Sequence, residues 1–280
     1  MASPRNGNAP SIAESLREYG RGLAGGLLFS LPLLYTMEMW WTGFIASPER
    51  LLLMLVFTFV LLLGYNRFAG LREDASAIEI AIDSVEELGL GLITAAGVLY
   101  LLGRIGPGVA WHEVIGKTVV EASVVAIGYS IGTAQLGIEE NTGLPGQSEK
   151  NPSFAGHLLL AFCGAIVFAA NVAPTEEVVM IAIETGAARL AGLALLSVGL
   201  AALVLYHVRF VRSDRFSQAE GALDVVVGSA ATYATALVAT AVVLWFFGRY
   251  EGHALDICIA ETIVLGFPAV LGASAGRLLL

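Results

Sequence analysis

Residues 111–136 read WHEVIGKTVVEASVVAIGYSIGTAQL, an apolar run that carries Glu121 near its middle. A second run, residues 255–277, reads LDICIAETIVLGFPAVLGASAGR and carries Glu261. Apolar stretches of roughly twenty residues are long enough to cross about 30 Å of hydrocarbon. A carboxylate inside such a stretch is costly and is usually retained for a function. The two runs therefore predict membrane-spanning helices, each with one functional acid.

The likeness between these runs extends along most of the chain, at an offset that drifts between 139 and 145 residues. Such self-similarity is typical of an internal duplication that has diverged by small insertions. The matched residues are Phe29 and Phe168, Thr36 and Thr175, Glu38 and Glu177, Arg67 and Arg209, Glu79 and Glu220, Asp83 and Asp224, Gly103-Arg104 and Gly248-Arg249, His112 and His253, Glu121 and Glu261, and Gly132 and Gly272.

Composition places the chain among polytopic membrane proteins of the all-α class. Of its 280 residues, 56% are hydrophobic and only 14% are charged, whereas a soluble domain has about 25% charged residues. Eight spans are predicted, as two four-helix repeats of the same orientation, because an even number returns the chain to its starting side. The predicted spans are 22–45, 50–67, 78–103, 111–136, 156–183, 190–209, 220–247 and 255–277.

These spans divide the chain into four parts. Residues 1–21 form a cytoplasmic tail, 22–136 the first repeat, 137–155 a linker rich in Gly, Pro, Asn and Glu, and 156–280 the second repeat. Basic residues in short loops favour the cytoplasmic side, which places both termini in the cytoplasm. The basic residues on this side flank the first span and lie in the loops after the second and sixth spans: Arg17, Arg21, Arg67, Arg72, Arg209, Arg212 and Arg215.

The repeated acids fall into three tiers when their depth is counted at about 1.5 Å per residue. The outer tier holds Glu38 and Glu177 with the adjacent Glu176, the middle tier Glu121 and Glu261, and the inner tier Asp83 and Asp224. Such a ladder suits a cation that loses its hydration shell in steps. Glu38, Glu177, Glu121 and Glu261 are the candidate cation ligands. The alternative for the outer and inner tiers is that they lie at the membrane interface.

The segment from Asn171 to Glu177 reads NVAPTEE and is the most unusual local motif. Pro174 removes a backbone donor and is expected to kink the predicted span, which frees carbonyl groups. Together with Thr175 and the two acids, these carbonyls offer oxygen ligands for a hard cation. The first repeat has Thr36 at the matching position. A plain helix bend near the interface, with its acids facing water, is the alternative.

Two histidines, His112 and His253, precede the spans that hold the central acids. They are predicted either to anchor the helices at the interface or to sense pH above Glu121 and Glu261, because histidine titrates near neutral pH. Lys117 lies four residues before Glu121 and is expected to face it along the helix.

Other function classes lack support in the sequence. The net charge of −9 comes with no basic patch, which argues against nucleic-acid binding. No phosphate-binding loop, dinucleotide fingerprint or zinc-protease motif occurs, so no enzymatic activity and no cofactor are expected. The strings Gly128-Tyr-Ser-Ile-Gly132 and Gly272-Ala-Ser-Ala-Gly276 lie inside apolar runs, where small-residue spacing predicts close helix packing instead of a hydrolase elbow.

The run from Tyr35 to Gly43, YTMEMWWTG, together with the later Pro174-Thr-Glu-Glu177, resembles a family of bacterial integral membrane proteins of unknown function. The resemblance covers most of the chain and implies a multi-pass protein of the bacterial inner membrane. It implies no mechanism, because no activity is established for that family.

These observations together predict a pH-sensitive cation channel or transporter. The candidate cargo is Ca²⁺, Na⁺, K⁺ or H⁺, and the expected partners are membrane lipids and a second copy in a homo-oligomer. A cation/proton exchanger and a membrane assembly or sensing partner that transports nothing are the alternatives. The residues assigned to the pathway are Glu38, Glu176, Glu177, Glu121, Glu261, Asp83 and Asp224, supported by Thr36, Thr175, Asn171, Pro174, His112 and His253.

Overall fold

The computed structural model describes residues 12–69, 76–135, 154–212 and 222–278, and these residues form helices joined by short turns. The side chains of 12–15, 135, 206–212, 222–224 and 278 lie outside the description, as do the predicted linker as far as residue 153 and the first eleven residues of the predicted tail. The helices are α1 (Ile12–Leu34), α2 (Met37–Ile45), α3 (Pro48–Ala69), α4 (Ala77–Leu101), α5 (Trp111–Gln135), α6 (Phe154–Ala170), α7 (Glu176–Glu184), α8 (Ala187–Arg212), α9 (Ala222–Phe246) and α10 (Leu255–Leu278).

The prediction of an all-α membrane protein is confirmed for the described residues. Six of the helices are long and apolar enough to cross a bilayer, and α1 with α2 makes a seventh crossing if the bent pair counts as one span. Helix α6 is apolar but has only 17 residues. Eight continuous spans were predicted, and the two that differ, 22–45 and 156–183, are each divided into two helices.

The predicted span 22–45 breaks after Leu34, where the chain turns by 87° before α2 begins. Thr36 adopts an extended conformation (φ −94°, ψ 131°). Its backbone N–H and its hydroxyl both donate to the Leu33 carbonyl, at 3.0 and 2.9 Å. The Thr36 hydroxyl thus supplies a hydrogen bond to a carbonyl in the last turn of α1. Threonine side chains often compete in this way with the hydrogen bonds of a continuing helix.

The predicted span 156–183 breaks between Ala170 and Glu176, at the segment that contains Pro174. Thr175 is extended (φ −77°, ψ 149°) and donates twice to the Val172 carbonyl, at 3.0 Å from N–H and 2.9 Å from the hydroxyl. A full interruption replaces the predicted kink, since proline cannot donate and threonine closes the preceding turn. The two breaks therefore share one local geometry.

The helices pack as two groups, with α5 central among α1 to α4 and α10 central among α6 to α9. In the first group α1 and α5 meet backbone to backbone, because a Cβ added to Gly25 would lie 2.4 Å from the Gly132 Cα. In the second group a Cβ on Gly164 would lie 2.2 Å from the Gly272 carbonyl oxygen. The predicted role of Gly132 and Gly272 in close helix packing is confirmed.

The two groups meet mainly where α6 packs against α3, α5 and α1. Phe57 packs against Phe162 and Phe246, with ring centroids 6.2 and 5.4 Å apart. Phe57 and Phe246 also line a small pocket of about 30 Å³, whose lining is almost entirely apolar. A polar link between the groups is the ion pair of Arg50 with Glu251, at 2.5 Å.

Candidate functional site

Glu121 lies on α5 opposite the break between α1 and α2. Below the acid, α1 contacts α5 where a Cβ on Gly26 would lie 3.0 Å from the Val125 carbonyl oxygen. Above it, α2 contacts α5 where a Cβ on Gly43 would lie 2.5 Å from the Lys117 Cα. The break thus faces the turn of α5 that holds Glu121.

The Glu121 side chain is fully buried, and neither carboxylate oxygen has a hydrogen-bond partner among the described residues. A buried ionised group with no partner carries its full desolvation cost. Such a group is stable only when a proton or another cation joins it. Glu121 is consequently the candidate cation-binding residue of the first group of helices.

Lys117 does not serve as the predicted partner of Glu121. Its ammonium group instead bonds Glu113 at 2.5 Å and the Arg104 carbonyl at 3.2 Å. Both contacts point toward the start of α5 and away from Glu121. Glu113 and Lys117 share a helix face, since glutamate and lysine at i and i+4 pair readily. Lys117, which was expected to face Glu121, therefore pairs with Glu113 instead.

Glu261 is also fully buried, but it has a partner. The Nδ1 atom of His253 lies 2.6 Å from Glu261 Oε1, an ion pair when the imidazole is protonated. His253 belongs to the short connection between α9 and α10, and Glu261 is the seventh residue of α10. The structure thus brings together two of the predicted site residues.

The second helix break also lies beside its buried acid. The Arg249 guanidinium donates to the Thr175 carbonyl at 2.7 Å and to the Glu176 carboxylate at 3.0 Å. Helix α7 packs against α10, the helix that carries Glu261. Arg249, in the connection between α9 and α10, therefore holds the start of α7 next to the helix of the buried glutamate.

The remaining predicted acids lie apart from these two. Glu38 and Asp83 are half-buried on α2 and α4, Glu177 is exposed in the first turn of α7, and the side chain of Asp224 lies outside the described residues. Within the described parts of the chain, no three side chains of His, Cys, Asp or Glu converge as a metal site would require. The predicted cation ligands are therefore not gathered at one position.

The two central acids also belong to different helix groups, since α5 is enclosed by α1 to α4 and α10 by α6 to α9. The apolar pocket between the groups is lined by Thr58 and Ser123 among its few polar side chains, and no carboxylate lines it. Two separate sites fit this arrangement better than one pore shared by Glu121 and Glu261.

Two further predicted residues have contacts of a different kind. His112 is exposed and its ring lies 6.0 Å from that of Phe44, as an interfacial anchor would lie. Asn171 donates to the Phe29 carbonyl at 3.0 Å and to the Val167 carbonyl at 2.7 Å, while its own oxygen is buried without a described partner. Asn171 thus ties the second helix break to α1.

One polar cluster was missed by the sequence interpretation. Glu87 of α4 is 8% exposed and accepts hydrogen bonds from Asn66 of α3, at 2.8 Å, and from Ser130 of α5, at 2.6 Å. The sequence shows Glu87 four residues after Asp83, which places the two acids on the same face of the helix. The internal duplication does not reveal Glu87, because Gly228 stands at the matching position of the second repeat.

No curated protein and no solved structure matches this chain. A family model with the description "Putative integral membrane protein (DUF2391)" matches residues 18–280, which is nearly the whole sequence. This match agrees with the resemblance seen in the YTMEMWWTG and Pro-Thr-Glu-Glu motifs. The chain is a polytopic integral membrane protein, and it belongs to the DUF2391 family.

Proposed function

We propose that this protein moves cations across the membrane, with Glu121 as the principal binding group of the pathway. The observation that carries the proposal is a fully buried carboxylate that has no described partner and faces a broken helix. Irregular backbone at membrane depth is tolerated where it is buried in protein or lines a cavity. Broken helices form the ion and substrate sites of many transporters.

The proposed architecture is a tandem repeat of same-orientation halves, each with one broken and three continuous spans. Five helices of similar length recur in the same order, and the glycine contacts Gly25–Gly132 and Gly164–Gly272 recur at matching positions. The turns after α4 and α9 also match, with φ values of 67° at Gly103 and 69° at Gly248. Both termini then lie in the cytoplasm of a bacterium, with the protein in its inner membrane.

The two halves have different roles in this proposal. Glu121 offers an uncompensated carboxylate to an incoming cation, whereas His253 competes with a cation for Glu261. Glu38, Glu176 and Glu177 attract cations on the outer side, and Asp83 and Asp224 receive them on the inner side. Protonation of Glu121 competes with a cation there, so transport becomes pH-dependent. No enzymatic step and no resident cofactor is needed.

The test is ion flux into liposomes that contain the purified protein, with H⁺, Na⁺, K⁺ and Ca²⁺ compared from pH 5 to 9. Glu121→Gln removes the charge with little change of shape, and flux should fall to the level of empty liposomes. Glu184→Gln, an exposed acid at the end of α7, is the matched control and should retain flux. A dependence on an opposing cation gradient would identify an exchanger.

Absence of flux for every ion, in protein that is folded and correctly inserted, would contradict the proposal. The assembly or sensing function would then be the better account. Flux that persists unchanged in Glu121→Gln would show a pathway that does not pass this residue.

A further inference from the structure

We propose that Glu87, with Asn66, Ser84 and Ser130, forms a binding site for a small monovalent cation in the first half of the molecule. The site deepens the proposed function and rests on it, because it would be a second binding position on the same pathway. Glu87 is the eleventh of the 25 residues of α4, which places it near the middle of that helix.

Four side-chain oxygens converge at this position from three helices. Ser130 Oγ lies 2.6 Å from Glu87 Oε2 and 3.2 Å from Asn66 Oδ1. Asn66 Nδ2 lies 2.8 Å from the same carboxylate oxygen and 3.1 Å from Ser84 Oγ. A rotation of the Asn66 amide presents its oxygen in place of its nitrogen, which completes a set of oxygen ligands.

The charge of this cluster favours a cation as its ligand. The hydrogen-bond partners of the Glu87 carboxylate, Asn66 and Ser130, are neutral. A carboxylate in the middle of a span is costly unless it is neutralised. Neutral hydrogen bonds reduce that cost but supply no opposite charge.

The second half supports this interpretation by contrast. Gly228 stands where Glu87 would be, four residues after Asp224 as Glu87 follows Asp83. There the Arg277 guanidinium donates to the Gly228 carbonyl at 2.9 Å and to the Thr232 hydroxyl at 2.5 Å. A fixed positive group thus occupies the position in the second half, whereas in the first half the described hydrogen-bond partners of Glu87 are neutral side chains.

The size of the charge decides the class of cation. The proposed site contains one carboxylate, one amide oxygen and two hydroxyl oxygens, so its formal charge is −1. A monovalent cation makes these four groups neutral overall. A divalent ion would leave a net positive charge in an apolar interior, which is costly. Hard oxygen ligands suit alkali cations and exclude metals that need nitrogen or sulfur. Na⁺ is therefore the first probe, with K⁺ as its comparison.

The experiment measures Na⁺-dependent thermal stability of the purified protein in detergent, at constant ionic strength balanced with choline. A ligand that binds the folded state raises Tm as its concentration increases. We expect a saturable rise with Na⁺ or K⁺ in the wild type and none in Glu87→Gln. Ser130→Ala, which removes one neutral ligand, should raise the half-saturating concentration about tenfold.

Glu86→Gln is the matched control, because Glu86 is the adjacent acid but is exposed and bonded to Tyr19. It should retain the wild-type response. If Glu87→Gln does not fold, Ser130→Ala decides the question. A wild type without a response to Na⁺ or K⁺, a response kept in Glu87→Gln, an unchanged half-saturating concentration in Ser130→Ala, or a response to Ca²⁺ alone would overturn the proposal.

The two proposals fail separately. Cation-dependent stabilisation that needs Glu87, in a protein without flux, would support this site and contradict the transport function. Flux that needs Glu121, in a protein whose stability does not respond to Na⁺ or K⁺, would support transport and overturn this site.

Discussion

Gly25 and Gly132 touch backbone to backbone, which fixes the position of α1 against α5. A Cβ on Gly132 would lie 2.6 Å from the Gly25 Cα, closer than packed carbon atoms approach each other. Small residues allow membrane helices to approach in this way and gain dispersion energy along the contact. Because α1 then ends opposite Glu121, this glycine pair determines where the first helix break faces the buried acid.

Gly132→Leu should lower the free energy of unfolding by about 1–3 kcal/mol, the usual cost of overpacking. The measurement is thermal unfolding in detergent, with monodispersity followed by size-exclusion chromatography. Gly97→Leu is the control, since a Cβ at this helical position meets no atom within 4 Å. Equal losses in the two variants would show that α1 and α5 are not in close contact.

His253→Ala should destabilise the protein by about 1–3 kcal/mol, because it leaves the buried Glu261 without the imidazole that contacts it. The corresponding change His112→Ala should cost under ~1 kcal/mol, since His112 is exposed and its described contact is with Phe44. Thermal unfolding of the two variants compares matched histidines of the two halves. A smaller effect at His253 than at His112 would contradict the His253–Glu261 pair.

Much of the helical content and the central acids could be predicted from the sequence, because apolar length and duplication are strong local signals. The interruption at Thr36 could not, since YTMEMWW is apolar and nothing in its composition separates a bent pair from one span. The Thr36 hydroxyl donates to the Leu33 carbonyl at the end of α1. A threonine can either make this bond or continue the helix, and the sequence does not show which of the two arrangements forms.

The partners of the acids were harder to predict than their positions. Helical spacing placed Lys117 equally near Glu113 and Glu121, and the structure pairs it with Glu113. Glu87 was missed because its ligands come from α3 and α5, which are brought together only by tertiary packing. A comparison of the two repeats reveals only the residues that they share. Glu87 is not among them, because its counterpart in the second repeat is Gly228.

Arg249→Gln should loosen the start of α7, because it removes the bonds to the Thr175 carbonyl and to Glu176. Hydrogen exchange measured over residues 176–184 should become faster, since local opening then costs less. Arg189→Gln, an exposed arginine in the first turn of α8, serves as the control and should leave that exchange unchanged. Unaltered exchange in Arg249→Gln would show that α7 is held by packing alone.

Ala254→Cys and Ala77→Cys should be modified from opposite sides of the membrane. Both alanines are exposed, and they lie at opposite ends of the bundle, one beside the Arg50–Glu251 link and one at the start of α4. In a background without Cys163 and Cys258, a membrane-impermeant maleimide applied to spheroplasts should label Ala254→Cys. It should reach Ala77→Cys only after lysis, because the basic residues Arg17, Arg21 and Arg67 favour a cytoplasmic position for that end. The reverse pattern would invert the protein and make His253 and Glu261 accessible from the cytoplasmic side.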